Sequence, residues 1–273
     1  MMGGVLLIAA VLATGSRDAP DDPPRTRPAR FETLHAALRA FDEGAWLAPR
    51  DPAAARELYD QSREGFERLI AAGVRNGRLW YNLGNAWMRL GRTGKAILCY
   101  RRAERLIPAD PNLAENLRFA RSIRADRIPP AAASAAAEVL LFWHYRTPLA
   151  WRMAAAAAAY VVVWGLLTAA LFVRGRPATL VWSLRVAAAL ALALGASVAA
   201  DLHHRRTVLE GVITADEVVL RKGNGESYEP LFDHRFSEGV EFALVEPPRG
   251  DWIRIRLPDG KSGWIRRDQA ELI

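Results

Sequence analysis

Two periodicities divide the chain. From residue 31 to 127, apolar side chains recur at helical spacing, as at Leu58, Phe66, Leu69 and Ile70, which lines one face of an α-helix. From 207 onward they alternate with polar residues between Gly, Pro and Asp turns, as in "DWIRIRLPDGKSGWI" at 251–265. That alternation sends successive side chains to opposite faces of a strand. Between the two regions lie stretches without any charge, 153–173 and 186–200. The pattern predicts a multidomain membrane protein: roughly five helices, a two-helix transmembrane hairpin, then a small all-β module.

The first uncharged stretch, "MAAAAAAYVVVWGLLTAALFV", has 21 residues, about 31 Å of helix and enough for a hydrocarbon core. The second becomes long enough once Leu180, Val181 and Trp182 are added, with Arg185 close to the end where its side chain can snorkel. Transmembrane helices are expected over 149–173 and 180–201, joined by a loop at 174–179. Arg174, Arg176 and Arg185 meet no acid between the spans, so the loop is expected to be cytoplasmic. Parity then puts 31–127 and 207–273 on one side. "GGVLLIAAVLATGS" at 3–16 ends in small residues and fits an export signal over 1–15, cleaved before Ser16, although no basic residue precedes it. That side is therefore expected to be extracytoplasmic. "SRDAPDDPPRTRPAR" at 16–30 reads as a solvated tether. Residues 128–148 read as a linker with an apolar interfacial lead-in.

Residues 79–108, "LWYNLGNAWMRLGRTGKAILCYRRAERLIP", combine bulky aromatics with glycines. Trp80, Leu83, Gly84 and Trp87 precede Ala96, Tyr100, Ala103 and Pro108 at the spacing of two antiparallel helices that must approach closely. Gly84 and Ala96 leave room, the aromatics fill it, Gly91 ends the first helix and Pro108 the second. The stretch resembles a tetratricopeptide repeat. One repeat cannot bury its own face. A shift of 34 residues aligns "NLGNA" at 82–86 with "NLRFA" at 116–120, so a further first helix is expected to follow. The resemblance implies an all-α tetratricopeptide solenoid over 31–127. Its concave face would carry Arg78, Tyr81, Asn85, Met88 and Arg89. Two arginines and an amide suit an acidic or carboxylate-ended peptide, although exposed arginines are more often only solvated.

The terminal region resembles a bacterial SH3-like barrel through "VVLRKGNGESYEP", "FSEGVEF", "DWIRIRLPDGKSGWI" and "DQAELI". Tyr228, Trp252 and Trp264 would line a shallow groove for peptide or cell wall, unless the two tryptophans are core.

Charge is uneven. Residues 31–127 hold 17 basic and 12 acidic side chains, and 207–273 hold 9 and 13. Opposite net charges on two soluble parts in one compartment favour a salt-sensitive contact between them. No basic stripe of the nucleic-acid-binding kind is present. Cys99 stands alone, so no intrachain disulfide or cysteine metal site can form. His203 and His204 lack a third ligand in the sequence. No nucleophile–base set, phosphate loop or metal spacing is found, so neither an enzyme nor a cofactor is expected.

Signal, solenoid, hairpin and SH3-like module, in that order, resemble the BatE-type proteins of bacterial aerotolerance operons. "YNLGNAWMRLGRTGKAILCYRRAERLIPADPNLAENLRFAR" carries most of the likeness. The resemblance implies a non-enzymatic envelope scaffold in oxygen or stress tolerance, working beside MoxR-type ATPases and von Willebrand factor A-domain membrane proteins. The alternative is a peptidoglycan sensor acting through the SH3-like module.

Overall fold

A computed structural model describes residues 23–129, 131, 141, 143–144, 147–173, 175 and 177–273, with Arg205 described through its main chain alone. The expected export signal, most of the 128–148 linker, and Arg174 and Arg176 lie outside the described residues. The chain forms two compact units divided after Arg75. That boundary falls inside the 31–127 block expected as one module.

The first unit holds α1 (Arg27–Leu47) and α2 (Pro52–Ala71). Helix α1 begins inside the expected tether, because Thr26 caps it by accepting from the Ala29 N–H and a proline is tolerated in the first turn. Asp51 caps α2 in the same way, accepting from the Ala54 N–H ahead of Pro52. The helices touch through small residues. A Cβ on Gly65 would lie 2.7 Å from that of Ala37, and one on Gly44 would lie 3.1 Å from the Tyr59 ring. Phe66, Leu69, Tyr59 and Ala55 fill the contact.

The second unit begins with α3 (Gly77–Arg89), α4 (Thr93–Leu106) and α5 (Pro111–Ile123). Gly91 follows α3 at φ +80°, the left-handed conformation that glycine adopts without strain. Leu83, Gly84, Ala96, Tyr100 and Ala103 are buried, Trp80 and Trp87 half-buried, and Pro108 sits exposed just past α4. The room beside Gly84 is occupied by the ring of Tyr100, 2.5 Å from where a Cβ would stand, rather than by a facing backbone. The first unit repeats this device: Gly44 lies against Tyr59, and Ala55 precedes Tyr59 by the same interval as Ala96 precedes Tyr100. Helix α5 is capped by Asp110, which accepts from Asn112 and Leu113. It buries Leu117 and Ala120 as α3 buries Leu83 and Ala86.

Helices α6 (Leu149–Phe172) and α7 (Ala178–Thr207) are long and apolar enough to cross a membrane. Only 6 % of each apolar window is buried by the protein itself. Arg185 is exposed, its guanidinium 5.1 Å from the centre of the Trp182 ring. Arg152, at the start of α6, is only 6 % exposed. It donates to Asp201, to Ser197 at 2.7 Å, to His144 Nδ1 at 2.8 Å and to the Thr147 carbonyl at 3.2 Å.

The terminal region is a five-stranded antiparallel sheet: β1 (Glu210–Ile213), β2 (Glu241–Leu244), β3 (Trp252–Arg256), β4 (Ser262–Arg266) and β5 (Ala270–Leu272). The order is β4-β3-β2-β1-β5, so the sheet does not close into the expected barrel. Glycines and Pro230 interrupt the alternation after β1, and interior Gly and Pro weaken a strand. "VVLRKGNGESYEP" accordingly makes only isolated bridges, Val218 to Phe236 and Arg221 to Pro230 and Trp264. Ile253, Ile255, Ile265, Val218, Leu220 and Phe236 form the core of this region.

Candidate functional site

Three elements shape the face of the helical region on which binding is expected. Helix α3 carries Arg78, Tyr81, Asn85, Met88 and Arg89 at positions that recur every three or four residues, so they share one side. Asn76 caps the helix by accepting from the Arg78 N–H at 2.8 Å. Arg78 and Arg89 are exposed, and Tyr81, Asn85 and Met88 are half-buried. Neither arginine forms an ion pair among the described residues.

The polar centre of this face includes a residue that the sequence reading did not single out. Asn116 on α5 donates to the Tyr81 hydroxyl at 3.0 Å and to Asn85 Oδ1 at 2.9 Å. The Tyr100 hydroxyl, reaching through from α4, donates to the same Asn85 oxygen at 2.8 Å. The Asn85 carbonyl is thereby doubly occupied, while its amide N–H groups make no hydrogen bond among the described residues. Burial pushes the Tyr100 phenol up from its ordinary value, so it remains a proton donor in this network. The 34-residue shift that places Asn116 opposite Asn82 was the available signal, but pairwise alignment does not show which side chains meet.

On the sheet, alternation puts Trp252, Arg254 and Arg256 on the face of β3 away from Ile253 and Ile255. The β3–β4 register sets Trp264 opposite Arg254, and Arg266 opposite Trp252, on that face. Trp252 is half-buried, whereas Trp264 is 7 % exposed beneath the guanidinium of Arg249, 5.3 Å from its ring centre. Trp264 is therefore covered rather than open to a ligand. Tyr228 is half-exposed and lies over Gly223, where a Cβ would come within 2.4 Å of its ring. Arg221 links the two places: its main chain bonds that of Trp264, and its side chain donates to the Tyr228 carbonyl at 2.9 Å.

A third constellation joins helices to sheet. Glu241 on β2 accepts from Arg121 through both oxygens at 2.7 Å, with Arg101 at 3.3 Å and Arg124 at 3.5 Å. Burial favours the neutral acid, but hydrogen bonds and charge from Arg121, with Arg101 and Arg124, outweigh it and hold the carboxyl below its usual range. Glu271 on β5 meets Lys95 and Arg102 and is also lowered, its burial offset mainly by Lys95. Arg92 pairs with Glu238 at 3.1 Å, and Arg105 donates to the Ile273 carbonyl at 2.7 Å. The contact expected from opposite net charge is thus made of individually matched pairs.

Among the described residues, no group of three or more His, Cys, Asp or Glu could hold a metal ion. Cys99 is buried inside α4.

No curated protein matches the chain. Residues 77–110, which are α3, α4 and the turn that leads to α5, match the family Tetratricopeptide repeat. The protein thus carries a helical repeat region of a kind that serves as a scaffold for protein–protein interaction, beside two helices of membrane-spanning length.

Proposed function

We propose that the protein is a membrane-anchored adaptor without catalytic activity, which captures an acidic or carboxylate-ended segment of a partner protein on the groove face of its repeat. The carrying observation is the Tyr81–Asn85–Asn116 network on that face, fixed from behind by Tyr100. It offers amide N–H groups between two arginines, Arg78 and Arg89, that form no ion pair among the described residues, and charged donors to a carboxylate are the stronger hydrogen bonds. The hairpin α6–α7 holds this groove at the bilayer. Parity of two spans keeps the described soluble parts on one side, and the export-signal pattern makes that side extracytoplasmic. Resemblance to BatE-type proteins extends the reading to a bacterial inner-membrane assembly with MoxR-type ATPases and von Willebrand factor A-domain proteins in oxygen or stress tolerance.

The test is capture of partners from detergent-solubilised envelopes by the full chain and by Arg78→Glu/Arg89→Glu. A protein retained by the first and lost from the second supports the groove; identical retention by both sinks it. Topology is tested separately by alkaline phosphatase fused after residues 127, 176 and 273. Activity, none and activity are expected, and activity at 176 overturns the proposed orientation.

A second reading rests on the half-exposed ring of Tyr228, with half-buried Trp252 on the outer face of β3. Aromatic faces of this kind bind sugar rings, and an SH3-like fold for 207–273 would suit a peptidoglycan ligand. Sedimentation of the detergent-solubilised full chain with purified sacculi tests it, with Tyr228→Ala as the control. Failure to co-sediment removes this reading.

A further inference from the structure

Helix α5 corresponds to the first helix of another repeat; after it, residues 124–129 run on without helix or strand. The sheet packs against α4 and α5. Val212 on β1 is fully buried in the same apolar cluster as Ala96, Ile97, Tyr100, Leu113 and Leu117 of α4 and α5. In return Ile128, just beyond α5, packs on the core of the sheet. Helix α4 comes close enough because Gly94 lacks a side chain: a Cβ there would stand 2.8 Å from both the Gly239 nitrogen and the Ile213 carbonyl oxygen. The Ser237 N–H donates to Asp126 at 2.6 Å, pinning the chain after α5 to the same region.

An opportunistic contact between two finished modules would be polar and wet, whereas here Val212 lies inside the helical core and Ile128 packs against that of the sheet. We propose that the C-terminal sheet is the terminal cap of the helical repeat, with β1 standing where the next helix would, so that α3–α5 and the sheet open as one cooperative unit. The last unit of a repeat array leaves an apolar face that only a cap with a polar outer side can cover. Strand β1 meets this need with Val212 turned inward, while Glu210, Glu241 and Glu271 answer the arginines and Lys95 around the seam. The groove that α3 and α5 display is accordingly held in shape by residues more than a hundred positions further along.

Hydrogen exchange with mass spectrometry on the full chain in detergent tests the cap. In the wild-type protein the slowest amides of α4 and of β3 should show equal protection and the same dependence on urea, as members of one cooperative unit do. Val212→Asp, which places a charge in the shared cluster, should accelerate both sets together by at least about tenfold. Lys95→Ala is milder and should accelerate α4 and β5 alike by a few-fold. The proposal is overturned if wild-type helices lose protection at lower urea than the sheet, or if Lys95→Ala loosens only one of the two. These readouts remain decisive should Val212→Asp fail to accumulate.

Discussion

Arg121 on α5 grips both carboxylate oxygens of Glu241 on β2, at 2.7 Å each, across 120 residues of sequence. The pairing is planar and two-pronged, a geometry that a lysine cannot reproduce. Because Arg101 and Arg124 address the same carboxylate, the partners are unequal in weight. Glu241→Gln deprives three guanidinium groups at once, at a cost of about 2 kcal/mol. Arg121→Ala leaves two cations on the carboxylate and should cost about 1 kcal/mol. Urea unfolding of the full chain in detergent reads both, and equal losses would contradict the shared-carboxylate geometry.

Gly94 and Gly91 make a matched pair of substitutions. Alanine at Gly94 meets the main chain of Gly239 and Ile213 and should destabilise by about 1–3 kcal/mol, as overpacking does. Alanine at Gly91 meets nothing within 4 Å and suffers only from its φ of +80°, about 1 kcal/mol. A larger thermal shift for Gly94→Ala than for Gly91→Ala, with intrinsic tryptophan emission altered only in the former, is the expected outcome.

The depressed carboxyls fix the direction of pH dependence. Glu241 and Glu271 lie below their ordinary value of 4.5 in the folded protein, so the unfolded chain binds more protons as pH falls through the acidic range. Stability from these pairs is complete above that ordinary value and is lost as pH drops toward the folded values. Titration from neutral pH downward should loosen helix–sheet contacts, as read by hydrogen exchange. Glu241→Gln/Glu271→Gln should flatten the response, and an unchanged acid transition in that variant would count against it.

Within the hairpin, Asp201 is the carboxylate on a guanidinium that is almost fully enclosed. Asp201→Ala leaves Arg152 without its acid, and breaking a buried pair costs about 3 kcal/mol or more. The double variant Arg152→Met/Asp201→Ala should recover much of that loss. Resistance of the hairpin to detergent-phase proteolysis measures it, and no recovery would argue against direct pairing.

Much of the helical region was legible because its signals are local. Gly91 ends α3, Pro108 follows α4, and the burial of Leu83, Ala96 and Ala103 follows from helical spacing. Gly84 was legible as a place of close approach, but not its occupant, since the ring of Tyr100 arrives from 16 positions away. The reason for Gly94 lies on β1 and in the loop before β2, beyond any sequence window. Asn116 and Glu241 stayed hidden for the same cause, for their partners are set by packing rather than spacing. Closure of the sheet was overestimated because alternation reports which face a residue takes, not whether edge strands find each other. The pairing of Arg152 with Asp201 carries no sequence signal, because a helix pair brings the two together only once the hairpin has formed.

Helix α7 runs unbroken to Thr207, and β1 starts at Glu210. So short a join has little slack to absorb rotation. A tilt or twist of α7 would be passed on to β1, and through it to the helices that β1 packs against, as a handle turns a key.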